Sequence, residues 1–255
     1  MVKQLTFALL LFVAVIACAD DYILATGRDG TRIVYTADRM VYTNWLSNCT
    51  FWQPFPSDVG SGSYPDYSKL ANNGAQTNVA MRPVWTSGAY NFDGTNDFIV
   101  SNAGSGFSGN VVVSMLSWFK AGSLSDYQTI VAMGNSSALE AMTITVTADG
   151  RAGMSCAGVN NGFIASNSVT TGTWYHIAVT KTAGAINTTT KIYLNGVDTA
   201  LVSPSAGTPS VTVSPVKIGY LFVFFDGLID DVRIYDIVLT SNQVNQIYLD
   251  TKGAH

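Results

Sequence analysis

Short apolar runs separated by clusters of turn residues recur along most of this chain. From Val84 onward, stretches rich in Val, Ile, Thr, Tyr and Phe alternate with stretches of Gly, Asn, Asp and Ser, a spacing typical of a β-sandwich or barrel. The strongest turn signal is Asn195-Gly196, which directly follows the β-rich run Lys191–Leu194 and favours a tight hairpin. The pattern therefore predicts an all-β fold.

One segment has helical periodicity instead. The residues from Thr240 to Gln243 fit a capping box, in which the side chain at each end bonds the backbone of the other. Val244, Ile247 and Tyr248 then fall on one face of a helix. We expect a short C-terminal helix that packs against the sandwich.

The N-terminus has the pattern of an export signal. The apolar run Leu5–Ala17, about 13 residues, is too short to span a membrane but typical of a signal-peptide core. We assign residues 1–19 to this signal. Cleavage before Asp20 gives a secreted chain, whereas a lipobox-like pattern ending at Cys18 would give a lipid-anchored one; both stay open. No second long apolar run follows, so we expect an extracellular or envelope protein without a transmembrane segment.

Behind the signal, the chain divides into three parts. Residues 20–44 form a β-rich extension around the turn Asp29-Gly30, residues 45–250 form the predicted sandwich, and residues 251–255 form a tail. No internal repeat of fixed period occurs, so a single large domain is expected.

The composition supports a packed fold and excludes one class of partner. Of the 255 residues, 47% are hydrophobic and only 12% are charged, which allows a large core and argues against disorder. The formal net charge is −4, and Lys and Arg form no cluster. Because nucleic-acid binding needs a basic surface, nucleic acid is excluded as a partner.

Two cysteines remain after the signal, Cys49 and Cys156. An oxidising compartment allows a disulfide between them. Two separate buried thiols are the alternative, and only their geometry decides between the two.

Six segments between residues 45 and 250 carry a family resemblance. Phe92–Ile99 is similar to a family strand and turn that begin FDG, Thr173–Thr180 to a WHHVAVT strand, and Phe225–Tyr235 to an IDEVRIY strand. The other three similar segments are Cys49–Phe55, Asp66–Ala75 and Ile192–Gly196. Together they resemble a LamG-like domain of the concanavalin A-like lectin/glucanase superfamily. One departure is that the family often has an acidic residue directly after the Pro-Phe pair, where this chain has Pro56.

The resemblance implies a two-sheet antiparallel jelly-roll sandwich, frequently with bound calcium, in proteins that bind glycans or mediate adhesion. Members also occur in viral and phage fibres. Membership of such a fold family does not by itself fix a function.

Asp230 is the most informative candidate residue. On a regular strand it shares a face with Val232 and Ile234, and these aliphatic neighbours predict that it points into the core. A buried carboxylate is costly unless it is paired or bound to a metal. It is either an oxygen ligand of a structural Ca²⁺, together with Asp93 or Asp58 and backbone carbonyls, or a carboxylate that accepts backbone N–H groups.

Four further residues are candidates for binding a ligand. Asn96 and Asp97 belong to a turn that could serve an ion or a sugar, or could be only a turn. Trp85 and Tyr127 lie in or beside polar loops, and aromatic rings stack on the C–H faces of sugars. The apolar run Tyr220–Phe225 either caps the core, contacts a partner or holds a ligand.

The sequence argues against catalysis. Glu140 is the only glutamate, so the pair of glutamates that related glucanases use as nucleophile and acid is impossible. His176 and His255 are the only histidines, too few for a His-rich zinc site and poorly suited to a nucleophilic triad. We therefore expect a protein that is not an enzyme.

These observations favour a non-enzymatic extracellular module that binds a glycan or a protein surface. The alternative is a self-assembling structural subunit of a fibre, sheath or virion surface. The low charge content and the β-rich extension favour that alternative, because an added strand can complete a neighbour's sheet. A glycoside hydrolase is a distant third.

Overall fold

The computed structural model describes residues 48–255 except Pro56, Ser87, Asp126 and 157–159, and before them only the backbone of three short strands. The chain divides into two compact units, Met1–Ser47 and Asn48–His255. Cys18 and most of the predicted signal peptide lie outside the described residues.

The N-terminal unit contains a three-stranded antiparallel sheet, made of β1 (Val15–Ala17), β2 (Tyr22–Thr26) and β3 (Arg32–Thr36) in that order. β2 and β3 pair with Leu24 opposite Val34. Both strands lie within residues 20–44, the segment predicted to be β-rich, whereas Asp29-Gly30 lies outside the described residues.

The larger unit is built almost entirely from strands. Its first half contains β4 (Cys49–Gln53), β5 (Ser63–Tyr64), β6 (Gly74–Ala75), β7 (Val84–Thr86), β8 (Ala89–Asp93), β9 (Ile99–Gly104), β10 (Val113–Ala121) and β11 (Gln128–Gly134). Its second half contains β12 (Ala141–Val146), β13 (Ala152–Cys156), β14 (Asn160–Phe163), β15 (Tyr175–Lys181), α1 (Ile186–Thr189), β16 (Thr190–Leu194), β17 (Val197–Thr199), β18 (Pro215–Ile218), β19 (Asp226–Tyr235) and α2 (Ser241–Thr251).

These strands form two antiparallel sheets. Sheet one has the order β17-β16-β15-β10-β19-β8-β7, with β4 also paired to β19. Sheet two has the order β14-β13-β12-β11-β18-β9-β6-β5. Neighbours along each sheet come from distant parts of the chain, so the predicted jelly-roll sandwich is confirmed.

The hydrophobic core lies between the two sheets. Met115, Phe119 and Ile229 of sheet one are fully buried in one cluster with Ile144 and Met154 of sheet two. Complete burial of a large apolar side chain contributes about 1.5–3 kcal/mol relative to exposure, so this layer accounts for much of the stability.

The hairpin and the helix follow the local signals in the sequence. Asn195 and Gly196 both have positive φ, 51° and 79°, as the tight turn between β16 and β17 requires. At the start of α2, the Gln243 N–H donates to Thr240 Oγ1 at 3.3 Å and the Thr240 N–H donates to Gln243 Oε1 at 2.7 Å. Both predictions are confirmed. None of the helices in the described part of the chain is long and apolar enough to cross a membrane.

A β-bulge in β19 changes which face Asp230 occupies. The pairing with β10 shifts register between Arg233 and Asp230, and Asp231 between them has a φ of +47°. An extra bulge residue reverses the alternation of side chains. Val232 and Ile234 therefore join the core, whereas Asp230 points to the outer face of sheet one, contrary to the prediction from regular alternation.

The two cysteines are separate, buried thiols on different sheets, Cys49 on β4 and Cys156 on β13. The Cys49 thiol donates a hydrogen bond to the Phe51 carbonyl at 3.3 Å. Burial raises the pKa of each thiol to about 12, so both stay protonated and unreactive near neutral pH. The structure thus has two separate buried thiols, the arrangement that the sequence left open as the alternative to a disulfide.

Candidate functional site

An open depression of about 510 Å³ lies at one end of sheet two, where β11 begins, β12 turns into β13 and β14 ends. Three segments meet there: the residue before β11, the turn from β12 to β13, and the segment after β17, whose Val202 bridges to Phe163 of β14. Its lining residues are Tyr127, Thr147, Ala148, Asp149, Arg151, Asn161, Phe163, Val202 and Ser203.

One side of the depression combines aromatic rings with an amide. The rings of Tyr127 and Phe163 have centroids 6.3 Å apart, and Asn161 Nδ2 donates a hydrogen bond to the Tyr127 hydroxyl at 3.2 Å. The carbonyl oxygen of the same amide, Asn161 Oδ1, is buried and has no hydrogen-bond partner. A buried acceptor without a donor costs free energy, whereas the amide nitrogen holds the Tyr127 hydroxyl in place.

The backbone of Tyr127 is also unusual. Its φ is +60°, a conformation that is rare for a bulky residue. Such strain clusters at functional sites, where the fold holds a side chain in a required position. Here it places the Tyr127 ring over the depression.

The other side of the depression presents a fixed ion pair. The Asp149 carboxylate accepts hydrogen bonds from Thr147 Oγ1 at 2.6 Å, Ser166 Oγ at 3.0 Å and Arg151 Nε at 2.8 Å. These contacts, the Thr147 hydroxyl first, lower the pKa of Asp149 to about 2. An exposed ion pair adds little stability, but it holds an acceptor and a donor at defined positions beside the rings.

This arrangement suits recognition better than catalysis. Apolar ring faces with a few fixed polar groups are the usual means of holding a small polar ligand, and sugars offer both C–H faces and hydroxyls. Asp149 is the only carboxylate among the lining residues. Glycoside hydrolysis uses two carboxyl groups flanking the bond to be cleaved, so the depression lacks that pair.

The structure distributes the four predicted ligand-binding residues over separate places. Tyr127 lies in the depression. Trp85, on the edge strand β7, packs against the core, and its indole N–H donates to the Phe55 carbonyl at 3.4 Å. Asn96 and Asp97 lie in the turn between β8 and β9, which connects sheet one to sheet two.

The residues predicted to bind calcium are not brought together. Asp93 lies opposite Asp226, which places it about 13 Å along β19 from Asp230 at roughly 3.3 Å per residue. Asp93 Oδ1 accepts the N–H groups of Thr95 and Asn96 at 2.8 and 3.0 Å.

Asp58, the third of these carboxylates, also stabilises a local turn. Asp58 Oδ1 accepts the N–H of Gly60 at 2.9 Å. Within the described residues, no group of three or more His, Cys, Asp or Glu side chains could hold a metal ion. Asp93 and Asp58 therefore each stabilise a local turn, and calcium binding by Asp230 with backbone carbonyls stays a prediction.

Asp230 belongs instead to a buried polar layer between sheet one and the C-terminal segment. Its Oδ1 accepts the Asp231 N–H at 2.7 Å, and its Oδ2 lies 3.3 Å from His255 Nε2. Burial, together with the neighbouring Asp231 carboxylate, raises the pKa of Asp230 to about 9, and burial lowers the pKa of His255. At neutral pH both groups are therefore neutral, and the contact is not an ion pair.

Sequence reasoning missed four of the residues that define the depression: Asp149, Arg151, Asn161 and Phe163. In the sequence, Asp149-Gly150 has only the pattern of a turn, and β14 has the sequence Asn-Asn-Gly-Phe, which has little β-propensity. The only lining residue that the sequence singled out was Tyr127, an aromatic residue in a polar loop. The residues around Tyr127 come from distant segments, and strand pairing brings them together.

A family model described as the concanavalin A-like lectin/glucanases superfamily matches residues 92–245. This match covers more than half of the chain and includes the turn after β8, strands β9 to β19 and the first five residues of α2. A comparison with curated protein sequences finds no match.

Several solved structures share the fold. Domain 4 of AbnA, an extracellular arabinanase of Geobacillus stearothermophilus, solved with arabinotriose, matches with a TM-score of 0.60 and 21% identity over 79% of this chain and 98% of that domain. The binding domain of Paraclostridial Mosquitocidal Protein 1 matches with a TM-score of 0.59 and 14% identity over 80% of this chain and 52% of its own.

Trypanosoma rangeli sialidase matches with a TM-score of 0.55 and 11% identity, over 91% of this chain and 43% of the sialidase. At these identities the likeness concerns the fold alone. This chain spans about half the length of the mosquitocidal binding domain and less than half of the sialidase.

Proposed function

The chain belongs to the concanavalin A-like lectin/glucanase superfamily, and from this premise we propose that it is a non-enzymatic extracellular module that binds a glycan in the Tyr127 depression. The observation that carries the proposal is that one open depression brings the rings of Tyr127 and Phe163 together with a fixed ion pair. A sugar offers C–H faces for the rings and hydroxyls for the polar groups beside them.

Three further observations support a binding role. The similar arabinanase domain was solved with a bound arabino-oligosaccharide, so the fold accommodates such ligands. Glu140, the only glutamate of the chain, is bonded to Asn135 Nδ2 and does not line the depression. The signal-like N-terminus agrees with an extracellular location.

A structural subunit that assembles through sheet edges is the second candidate. Val84 on β7 and Val197 on β17 are each 65% exposed, and these strands form the two edges of sheet one. Each edge strand has only three residues, and short edges limit pairing between copies. For this reason we rank assembly below glycan binding.

The purified chain, applied to an array of plant, microbial and animal glycans, tests the proposal. We expect selective binding that Tyr127→Ala abolishes. Tyr67→Ala is the matched control, because Tyr67 is a 48% exposed tyrosine beside Trp52 of sheet one. No binding by the wild type, or equal binding by all three proteins, contradicts the proposed site. Light scattering of the same samples tests assembly.

A further inference from the structure

Both histidines of the chain lie in one buried layer on the outer face of sheet one. His176 belongs to β15, and His255 belongs to residues 251–255, here called the strap, which begin at the last residue of α2. Both imidazole rings contact the indole of Trp118, with centroids 5.3 and 4.4 Å from it. Histidine is the side chain that ordinarily changes its charge between pH 5 and pH 8, and this layer holds the two that the chain has.

Side-chain contacts hold the strap on this layer. The indole N–H of Trp118 donates to Thr251 Oγ1 at 2.7 Å. The His255 ring packs against two indoles, with centroids 4.4 Å from Trp118 and 4.7 Å from Trp174. Its Nε2 atom lies 3.3 Å from Asp230 Oδ2, and both of these side chains are almost completely buried. None of these contacts is part of the strand pairing, so the strap can detach while the sheet stays paired.

His176 lies in the same layer without a partner for either ring nitrogen. It is 1% exposed, and among the described residues neither its Nδ1 nor its Nε2 atom has a hydrogen-bond partner. The Tyr248 ring of α2 lies 6.0 Å from it. A neutral imidazole carries one N–H donor and one acceptor nitrogen, so the closed layer leaves both unsatisfied at a cost in free energy. Water satisfies both atoms once the layer opens.

The closed layer has no free carboxylate for a protonated imidazole. Asp231 is paired with Arg233, and the raised pKa of Asp230 keeps that group protonated at neutral pH. A proton added to His176 or His255 therefore meets repulsion from Arg233, and burial lowers the pKa of His176 to about 3 and also lowers that of His255. The charged and titratable groups that face this layer are Asp230, Asp231 and Arg233 of β19, Lys120 of β10, Tyr193 of β16, Tyr248 of α2 and Lys252 of the strap.

We propose that the strap is an acid-sensitive latch, which covers the aromatic layer near neutral pH and detaches below about pH 6, when protonation of His176 and His255 favours the hydrated layer. Its opening uncovers the indoles of Trp118 and Trp174, an aromatic face that the closed strap hides. This inference goes beyond the proposed function, because the layer lies on sheet one and the depression lies at one end of sheet two.

The direction of the response follows from the protons that opening takes up. Between about pH 4 and pH 6, each exposed histidine binds a proton, since the ordinary pKa of histidine is about 6.5. Exposed Asp230 loses one, since its pKa falls from about 9 in the closed layer to about 3.9. The net uptake is one proton, so the opening constant should rise roughly tenfold for each pH unit of acidification. Above about pH 7 only the loss from Asp230 remains, so the strap is closed most firmly near pH 6.5.

Hydrogen–deuterium exchange of the full chain at pH 6.5 and pH 4.5, with each rate divided by the intrinsic rate at that pH, tests the latch. We expect peptides that contain the strap to exchange at least fivefold faster at pH 4.5, with β10 and β15 unchanged. The double variant His176→Phe, His255→Phe keeps both rings and removes both protonations, so its strap should open less at pH 4.5 than at pH 6.5. Asp230→Asn removes the opposing proton and should make the acid response at least tenfold larger than that of the wild type. Asn242→Ala, at an exposed position of α2, is the control and should respond as the wild type does.

Three results would overturn the latch. The first is equal exchange of the wild-type strap at the two pH values, and the second is acid opening that persists in the double variant. The third is faster exchange of β10 and β15 together with the strap, because the event is then general unfolding. Thermal unfolding shows whether each variant folds. If the double variant does not fold, His255→Phe alone decides: its strap should open equally at both pH values, and a wild-type acid response overturns the proposal.

Discussion

Asp231 and Arg233 form a bidentate ion pair on the outer face of sheet one, with Arg233 Nε and one terminal guanidinium nitrogen each 2.8 Å from the carboxylate. Both side chains are almost completely buried. The guanidinium carbon lies 4.8 Å from the centre of the Trp52 ring, and the indole N–H of Trp52 donates to the Asp231 carboxylate at 2.7 Å. Asp231 is therefore the ionised member of the adjacent acidic pair, and Asp230 is the protonated one.

Replacing Asp230 by Asn should stabilise the protein at neutral pH. The pKa of Asp230 is about 9 in the folded state and about 3.9 when unfolded, so between these values folding takes up a proton, and stability falls as the pH rises. Asn has the shape of the protonated acid without this dependence. We expect Asp230→Asn to raise the free energy of unfolding by about 2 kcal/mol at pH 7.

Denaturant titrations across the pH range check this expectation. The stability difference between variant and wild type should be near zero at pH 4 and should grow up to about pH 9. A constant difference, or a destabilised variant at pH 8, would mean that Asp230 is ionised in the fold.

The same substitution at Asp231, one residue further along β19, should lower the free energy of unfolding. Asp231→Asn leaves the Arg233 guanidinium buried without a counter-charge, which costs about 3–5 kcal/mol. Asn tolerates the positive φ of +47° at this position. The loss of stability therefore comes from the missing charge and not from a change in backbone strain. Urea unfolding at pH 7 measures it. A loss below 1 kcal/mol would contradict the pairing.

Much of the fold was predictable because its signals are local. The turn residues Asn195-Gly196 and the capping box at Thr240 encode their own conformations, and the strand Tyr175–Lys181 is strongly β-favouring. β13 carries no such local signal, because Ala-Gly-Met-Ser-Cys has little β-propensity and its pairing with β12 and β14 defines it.

The site was less predictable than the fold. Tyr127 stood out in the sequence, but its partner Asn161 is 34 residues away, on a strand that the pattern did not indicate. The predicted orientation of Asp230 was wrong for a different reason. A β-bulge moves the residues before it to the opposite face of the sheet, and a single aspartate with positive φ gives no clear signal of a bulge in the sequence.

Removing the N-cap of α2 should destabilise the polar layer that α2 covers. Thr240→Ala deletes the hydroxyl that accepts the Gln243 N–H, which costs about 1 kcal/mol. Asn242→Ala, at an exposed position in the first turn, is the control and should change stability by less than about 0.5 kcal/mol. Thermal unfolding compares the two. Equal effects would show that the capping box does not contribute.

Glycan binding should be insensitive to pH across the acidic range. The pKa of Asp149 is about 2, so the carboxylate stays ionised and bonded to Arg151 from about pH 4 upward, and the acceptor and donor at the depression do not change. Affinities measured at pH 4.5 and pH 7.5 should agree within about twofold. A large fall at pH 4.5 would indicate that another titrating group contacts the ligand.

The account depends most on Asn161, whose amide nitrogen holds the Tyr127 hydroxyl in the depression. The decisive measurement is a calorimetric titration of the tightest-binding glycan from the array into the wild type, Asn161→Ala and the control Asn242→Ala. The account predicts that Asn161→Ala weakens binding at least tenfold, about 1.4 kcal/mol, with the control unchanged. Wild-type affinity in Asn161→Ala, with the fold intact, would contradict the placement of the ligand in this depression.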